Sequence, residues 1–379
     1  MRRFLLHLLS FCLLPGLLLL ASEAVLRQSG EVWSLEQVFA YQQSHPASLY
    51  LRATDQLFYA YKYRGVLEKQ PSVLVAGSSR TMKFRAEMFG DRADSFYNAG
   101  GMVNSIRDAH DFCVSLPSSR TPRVLVLGVD LWWFNDQVTP VYSFAAEAAK
   151  DTGGFDEHVI ALRWLLRHPR AFGGEAVSLI RRDDHQAVGI GARETGGGFR
   201  PDGSFKSHWP TPRSEDEWRF VDRETPPVID RVRTASENFL PARGVSPERV
   251  ALLDAVLARL GQRHVLVIGY LPPFSSDVVK HLRSDPRHSR LWSDFRRTIP
   301  AVFRAHGFPI VDASEPLSLG MDDRAMSDGM HAEETFHVGV LKALLDDARV
   351  RAALPGATSV VERALASRRT NYWEPDLGS

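Results

Sequence analysis

Five short, mostly apolar runs punctuate the chain, at positions 72–76, 95–98, 123–128, 264–269 and 309–312. Each is too short for a helix, so each predicts a buried strand. Apolar residues at helical spacing fill 105–116, 247–260, 289–305 and 332–353. Strands apolar on both faces, alternating with helices, predict a parallel sheet covered on both sides. The expected fold is α/β, three α/β/α layers around a central parallel five-stranded sheet. Chemistry in such sheets gathers at the carboxyl ends of strands. Ser79, Gly100 and Asp130 each follow such an end, so they converge on one edge.

About 135 residues separate the third and fourth strands, far more than a crossover needs. Residues 135–244 are therefore expected to be an insertion. It holds a helical piece at 155–168, a glycine-rich stretch at 189–203 that fits a lid, and a polar loop at 210–227. The glycine-rich stretch lacks a following Gly-Lys-Ser/Thr and makes a poor phosphate cradle. Residues 27–70 predict a helical, aromatic-rich neck, with its aromatics serving as core rather than as a ligand platform. The main domain is expected at 71–353 and a C-terminal tail at 354–379, loosely ordered from Ala364.

The N-terminus sets the expected compartment. Met1-Arg2-Arg3 precedes eighteen mostly apolar residues, Phe4 to Ala21, ten of them leucine. Positive charge before an apolar helix holds that end in the cytoplasm and sends the rest across. Segment 1–26 fits a retained anchor, just long enough to span. It also fits a cleaved signal, because Ser22-Glu23-Ala24 offers small residues at a cleavage site and Pro15-Gly16 would kink a span. A buried soluble helix is the third reading. The expected location is the bacterial inner membrane with the main domain in the periplasm, or full export if the segment is cleaved. Phe11 before Cys12 makes a poor lipid-attachment motif, so no lipoprotein is expected.

Bulk properties remove other classes. The chain has 379 residues, 44% hydrophobic, enough for one large or two modest domains. Net charge is +1 with 24% charged residues and no basic stripe, which gives no reason to expect nucleic acid. Two cysteines, Cys12 and Cys113, show no metal spacing, so neither metal nor cofactor is expected. Scarce cysteine fits an envelope protein and the cytosol equally.

Ser79 is the candidate nucleophile, with Ser78 as its competitor. A serine at a strand-to-helix turn exposes its hydroxyl beside amides that can stabilise an oxyanion. The plainer reading is an N-cap. His331 is the candidate base and Asp328 its orienting acid, since a carboxylate on one imidazole nitrogen leaves the other free to take a proton. Here the plainer reading is that Asp328 caps the following helix. The two motifs stand about 250 residues apart, one at the first strand and one after the last. Trp132 and Trp133 read as core or lid packing ahead of sugar stacking.

These motifs resemble the SGNH/GDSL hydrolase superfamily. Gly77-Ser78-Ser79-Arg80 is similar to its nucleophile block, and Tyr97-Asn98-Ala99-Gly100-Gly101 to its second block. Gly128-Val129-Asp130 sits where the third block carries Gly-x-Asn, and Asp328-Gly329-Met330-His331 is similar to the Asp-x-x-His block. The resemblance covers about residues 70–350 apart from the insertion. It implies a flavodoxin-like arrangement of the sheet, a Ser79–His331–Asp328 triad, and an oxyanion hole that includes the Gly100 amide. It extends to membrane-tethered relatives in alginate O-acetylation and teichoic-acid D-alanylation. These imply an acylated cell-surface glycan as substrate and a membrane-bound O-acyltransferase as partner. Asp130 departs from the pattern, because an ionised carboxylate repels the oxyanion that an asparagine would hold. One lost donor costs about 2.7–4 kcal/mol. Arg80 and Asn135 are the alternative donors, with Arg80 equally suited to pairing with a structural acid such as Asp130. The expected function is an exported serine esterase or O-acyltransferase. Its alternative is a degenerate scaffold that binds polysaccharide or the acyltransferase. A cytosolic nucleotide binder is disfavoured by the N-terminal segment and the missing phosphate motifs.

Overall fold

A computed structural model describes residues 2–54, 58–117, 121–139, 143–144, 148, 155–181, 186–207, 225–367, 374–375 and 377. The chain divides into two compact units. One is built from residues 1–61, 150–201 and 205–208, the other from 62–149, 202–204 and 209–379.

The larger unit holds a parallel five-stranded sheet: β1 (Val73–Ala76), β2 (Phe96–Asn98), β3 (Val124–Gly128), β4 (Leu266–Leu271) and β5 (Ile310–Asp312). Their spatial order is β2-β1-β3-β4-β5, with Val73 in register with both Phe96 and Val124. That order switches direction between β1 and β3, which opens a crevice at their carboxyl ends. Helices cover both sides, so β1, β2 and β3 are buried along their whole length. Each fully buried Val or Leu contributes roughly 1.5–3 kcal/mol. The fourth strand starts two residues later than the apolar run suggests. His264 adopts φ +59 and its amide bonds to Gly261, so it closes the preceding helix instead of opening the strand.

Caps set the flanking helices. Ser105 accepts the Asp108 amide to start Ile106–Ser115, and Ser246, with Pro247 at the first position, starts Pro247–Gln262. The single helix expected over 332–353 is two: Glu334–Leu344 and Ala348–Ala353. Asp347 accepts the Arg349 amide at 2.8 Å and so begins a new helix where periodicity alone continued the old one. The tail also departs from expectation. Ala357–Ser367 is a helix that buries Ala357, Val361 and Ala364 in the main core, joined by Leu377. Residues 368–373, 376 and 378–379 lie outside the described residues.

The smaller unit corrects the helical neck and the single insertion. Leu49–Tyr50 is a strand, parallel to Ala187–Val188 and antiparallel to Gly198–Phe199, which pairs in turn with Phe205–Lys206. Neck and insertion thus share one small sheet. The glycine-rich stretch carries one of its strands, Gly198–Phe199, and the helix Ile190–Thr195, so within this unit it is structure and not a free loop. Gly189, at φ +93, allows that approach: a Cβ there would stand 2.2 Å from the Leu51 carbonyl oxygen. The neck aromatics are core, with Tyr61 packed on Phe39, Tyr50 and Phe199. The polar loop expected at 210–227 lies mostly outside the described residues, and its end belongs to the helix Thr225–Thr234.

The N-terminal helix Arg2–Gln28 runs through Pro15 without a break. Phe11, Leu13 and Leu17 to Leu20 are exposed, and residues Phe11–Gln28 have a mean hydropathy of 1.4. Its length and composition fit a membrane anchor or a signal sequence. Its last turns are different. Ser22, Val25 and Leu26 are buried, the latter two against Ala161, Leu165, Ala171 and Ile190.

Candidate active site

The turn after β1 is built by glycine and two serines with different tasks. Gly77 takes φ +150, and a Cβ there would meet Thr81 Cγ2 at 2.4 Å. Ser78 is buried and its Oγ accepts the Arg80 amide at 3.3 Å, so it caps the short 3-10 turn Ser79–Thr81. Ser79 is left half-buried with its hydroxyl directed elsewhere. Its Oγ lies 2.9 Å from His331 Nε2.

Asp328 holds that imidazole. Its Oδ2 lies 2.7 Å from His331 Nδ1, while Oδ1 accepts the amides of Met330 at 2.7 Å and His331 at 2.6 Å. With the proton fixed on Nδ1, Nε2 presents its lone pair to the serine hydroxyl. Burial pushes the Asp328 carboxyl up, but the His331 charge, its hydrogen bond and the two amides outweigh this and leave it below the ordinary range. The segment is a closed loop, with the Ser327 amide bonded to the His331 carbonyl and Met326 bridged to Ala332. The next helix begins only at Glu334. Asp328 therefore caps its own loop and not that helix.

The residues expected around the oxyanion are arranged otherwise. The Gly100 amide donates to Asn98 Oδ1 at 2.7 Å. Asn98, fully buried, also donates through Nδ2 to the carbonyls of Thr81 at 2.9 Å and Phe84 at 2.8 Å. Asn135 is buried too, donating to the Leu240 carbonyl at 2.6 Å and accepting the Gln137 amide at 3.0 Å, so it ties loops together. Arg80 and Asp130 form a buried ion pair at 2.7 Å. Burial pushes the Asp130 carboxyl up, and the Arg80 charge partly offsets this. Trp132 and Trp133 are buried, with Trp132 5.5 Å from the Arg80 guanidinium. The Ser79 amide has no acceptor among the described residues.

Sequence reasoning missed the supports of this turn. The Arg80 carbonyl accepts Tyr270 Oη at 3.2 Å and lies 3.0 Å from His337 Nε2. Lys62 is wholly buried and donates to the Asn98 carbonyl at 2.9 Å and to the Gly203 carbonyl. The one signal for Lys62 was a lysine within an otherwise aromatic helical run.

No family model and no curated protein matches this chain.

Proposed function

We propose that this chain is a membrane-anchored serine esterase or O-acyltransferase of the SGNH/GDSL type, acting on acyl esters of a cell-surface glycan. One observation carries the reading. Residues 252 apart in the chain form an unbroken line, Ser79 Oγ to His331 Nε2 at 2.9 Å and His331 Nδ1 to Asp328 Oδ2 at 2.7 Å, at the crevice edge of the sheet. Ser79 Oγ attacks the acyl carbon while His331 Nε2 takes its proton. His331 returns that proton to the departing alcohol as the ester bond breaks, leaving an acyl-serine. Water or a sugar hydroxyl then attacks, loses its proton to His331 and releases Ser79. The flavodoxin-like strand order supports the family reading, and with it a membrane-bound O-acyltransferase as the acyl supplier.

The end of the N-terminal helix supports a retained anchor. Cleavage after Ala24 would cut between Glu23, bonded to His158 at 2.6 Å, and the buried Val25 and Leu26. Five residues beyond Leu26, Glu31 is also built in, its carboxylate accepting the Ala53 and Ile190 amides. The anchor reading places the rest of the chain on the periplasmic side.

The second reading, a non-catalytic scaffold, draws on the engaged Gly100 amide and on Arg80 held by Asp130, which remove two candidate oxyanion donors. Fluorophosphonate labelling and hydrolysis of p-nitrophenyl acetate separate the two. Catalysis predicts labelling in wild type and none in Ser79→Ala or His331→Ala; equal signal in all three leaves the scaffold.

A further inference from the structure

Arg80 follows the candidate nucleophile, yet its side chain reaches the other half of the relay. Nε donates to the Met330 carbonyl at 2.7 Å, one residue before His331. Nη1 bonds Asp130 at the end of β3, and Nη2 bonds the Pro273 carbonyl beyond β4. Phe274 lies against the guanidinium at 4.2 Å. The residue is also held from behind, its carbonyl engaged by Tyr270 and His337. With 1% of its surface exposed, Arg80 is closed to substrate.

We propose that Arg80 is a positioning residue: a buried strut that fixes the Met330–His331 backbone and so sets the distance between Ser79 and His331. This rests on the serine-relay reading above. The planar guanidinium suits the task, because its rigid fork of donors serves three acceptors at once. Asp130 balances its charge, which explains an aspartate where the related hydrolases carry an amide donor. Lysine could not replace it, since a point charge on a flexible stem cannot bridge three separate acceptors at once.

Removing Arg80 alone would strand the Asp130 charge, so the primary variant is Arg80→Met/Asp130→Leu, which replaces the pair with apolar bulk. Two readouts are taken on the full chain in detergent: deuterium uptake of the 327–332 loop, and the kinetics of fluorophosphonate labelling. The expected result is faster uptake in that loop, with the maximal labelling rate down about 100-fold, the loss that a misplacement near 1 Å brings. The reagent concentration for half-maximal rate stays unchanged. Unchanged uptake and an unchanged maximal rate in the folded double variant would overturn the proposal. If wild type itself fails to label, the serine chemistry falls, while loop uptake still decides the role of Arg80. Should the double variant not fold, Arg80→Lys read the same two ways decides it, with the same expected directions.

Discussion

Asn98 accepts the Gly100 amide through Oδ1 at 2.7 Å and turns its Nδ2 onto the carbonyls of Thr81 and Phe84. One buried amide thus closes the turn after β2 and ties it to the segment that carries Ser79. The bonds need an acceptor and a donor on the same side chain, which only an amide supplies at this size. Asn98→Asp keeps the shape but sets a carboxylate oxygen against two carbonyls. It should cost at least about 2 kcal/mol, from two unmade bonds to buried acceptors. Urea unfolding monitored by circular dichroism gives the value, and a midpoint within error of wild type would dismiss the clamp.

The relay makes a graded prediction. Ser79→Ala and His331→Ala should each remove at least about 10⁴-fold of kcat on an activated ester, and the double variant should lose no more than either single one. Asp328→Asn should fall by roughly 10²–10⁴-fold, since the imidazole remains but its tautomer is no longer fixed. The four variants are compared by initial rates with p-nitrophenyl acetate. Additive losses in the double variant would mean that Ser79 and His331 do not act as one unit.

The five strands and their parallel pairing were legible because each is a short, mostly apolar run between helical stretches, a pattern that survives without neighbours. The Ser79, His331 and Asp328 positions were legible because strand ends and loop order bring them to one edge. What sequence could not show is where polar side chains turn. Gly100, Asn135 and Arg80 all offer donors suited to an oxyanion, yet their partners are Asn98, Leu240, Met330 and Asp130. Those contacts span up to 250 residues of chain and leave no local trace. The small sheet was missed for a similar reason. Its strands are two residues long, and pairing across about 140 residues, from Leu49 to Ala187, outweighs local preference.

Thr81 sits beneath three strand-end glycines. A Cβ on Gly128 would stand 2.4 Å from Thr81 Cγ2 and 3.1 Å from Tyr270 Cε1, and one on Gly100 would stand 2.4 Å from Thr81 Oγ1. Gly128→Ala should therefore destabilise by about 1–3 kcal/mol through overpacking. Thr81→Ser removes the offending methyl and keeps the hydroxyl that bonds the Ser78 carbonyl at 2.9 Å. In the Gly128→Ala background it should recover at least about 0.5 kcal/mol, a coupling expected only for residues in contact. Thermal midpoints of the four combinations test this, and strictly additive effects would place the clash elsewhere.

Lys62 gives the pH prediction. Burial pushes its ammonium down to about 7, against the attraction of Asp202. The folded value lies below that of the unfolded chain, so the fold disfavours the charged form. Below about pH 7 both states are protonated, and folding bears the full cost of burying the charge. As pH rises above that point the folded chain holds the neutral amine while the unfolded chain stays protonated, so stability rises until the unfolded lysine also titrates, near 10.4. The neutral amine still donates to the Asn98 and Gly203 carbonyls. Lys62→Met carries no such titration. The wild-type urea midpoint should therefore gain on that of the variant between pH 7 and 9, with other ionisable groups cancelling in the difference. A difference that stays flat or falls across that window would show that the buried ammonium keeps its proton.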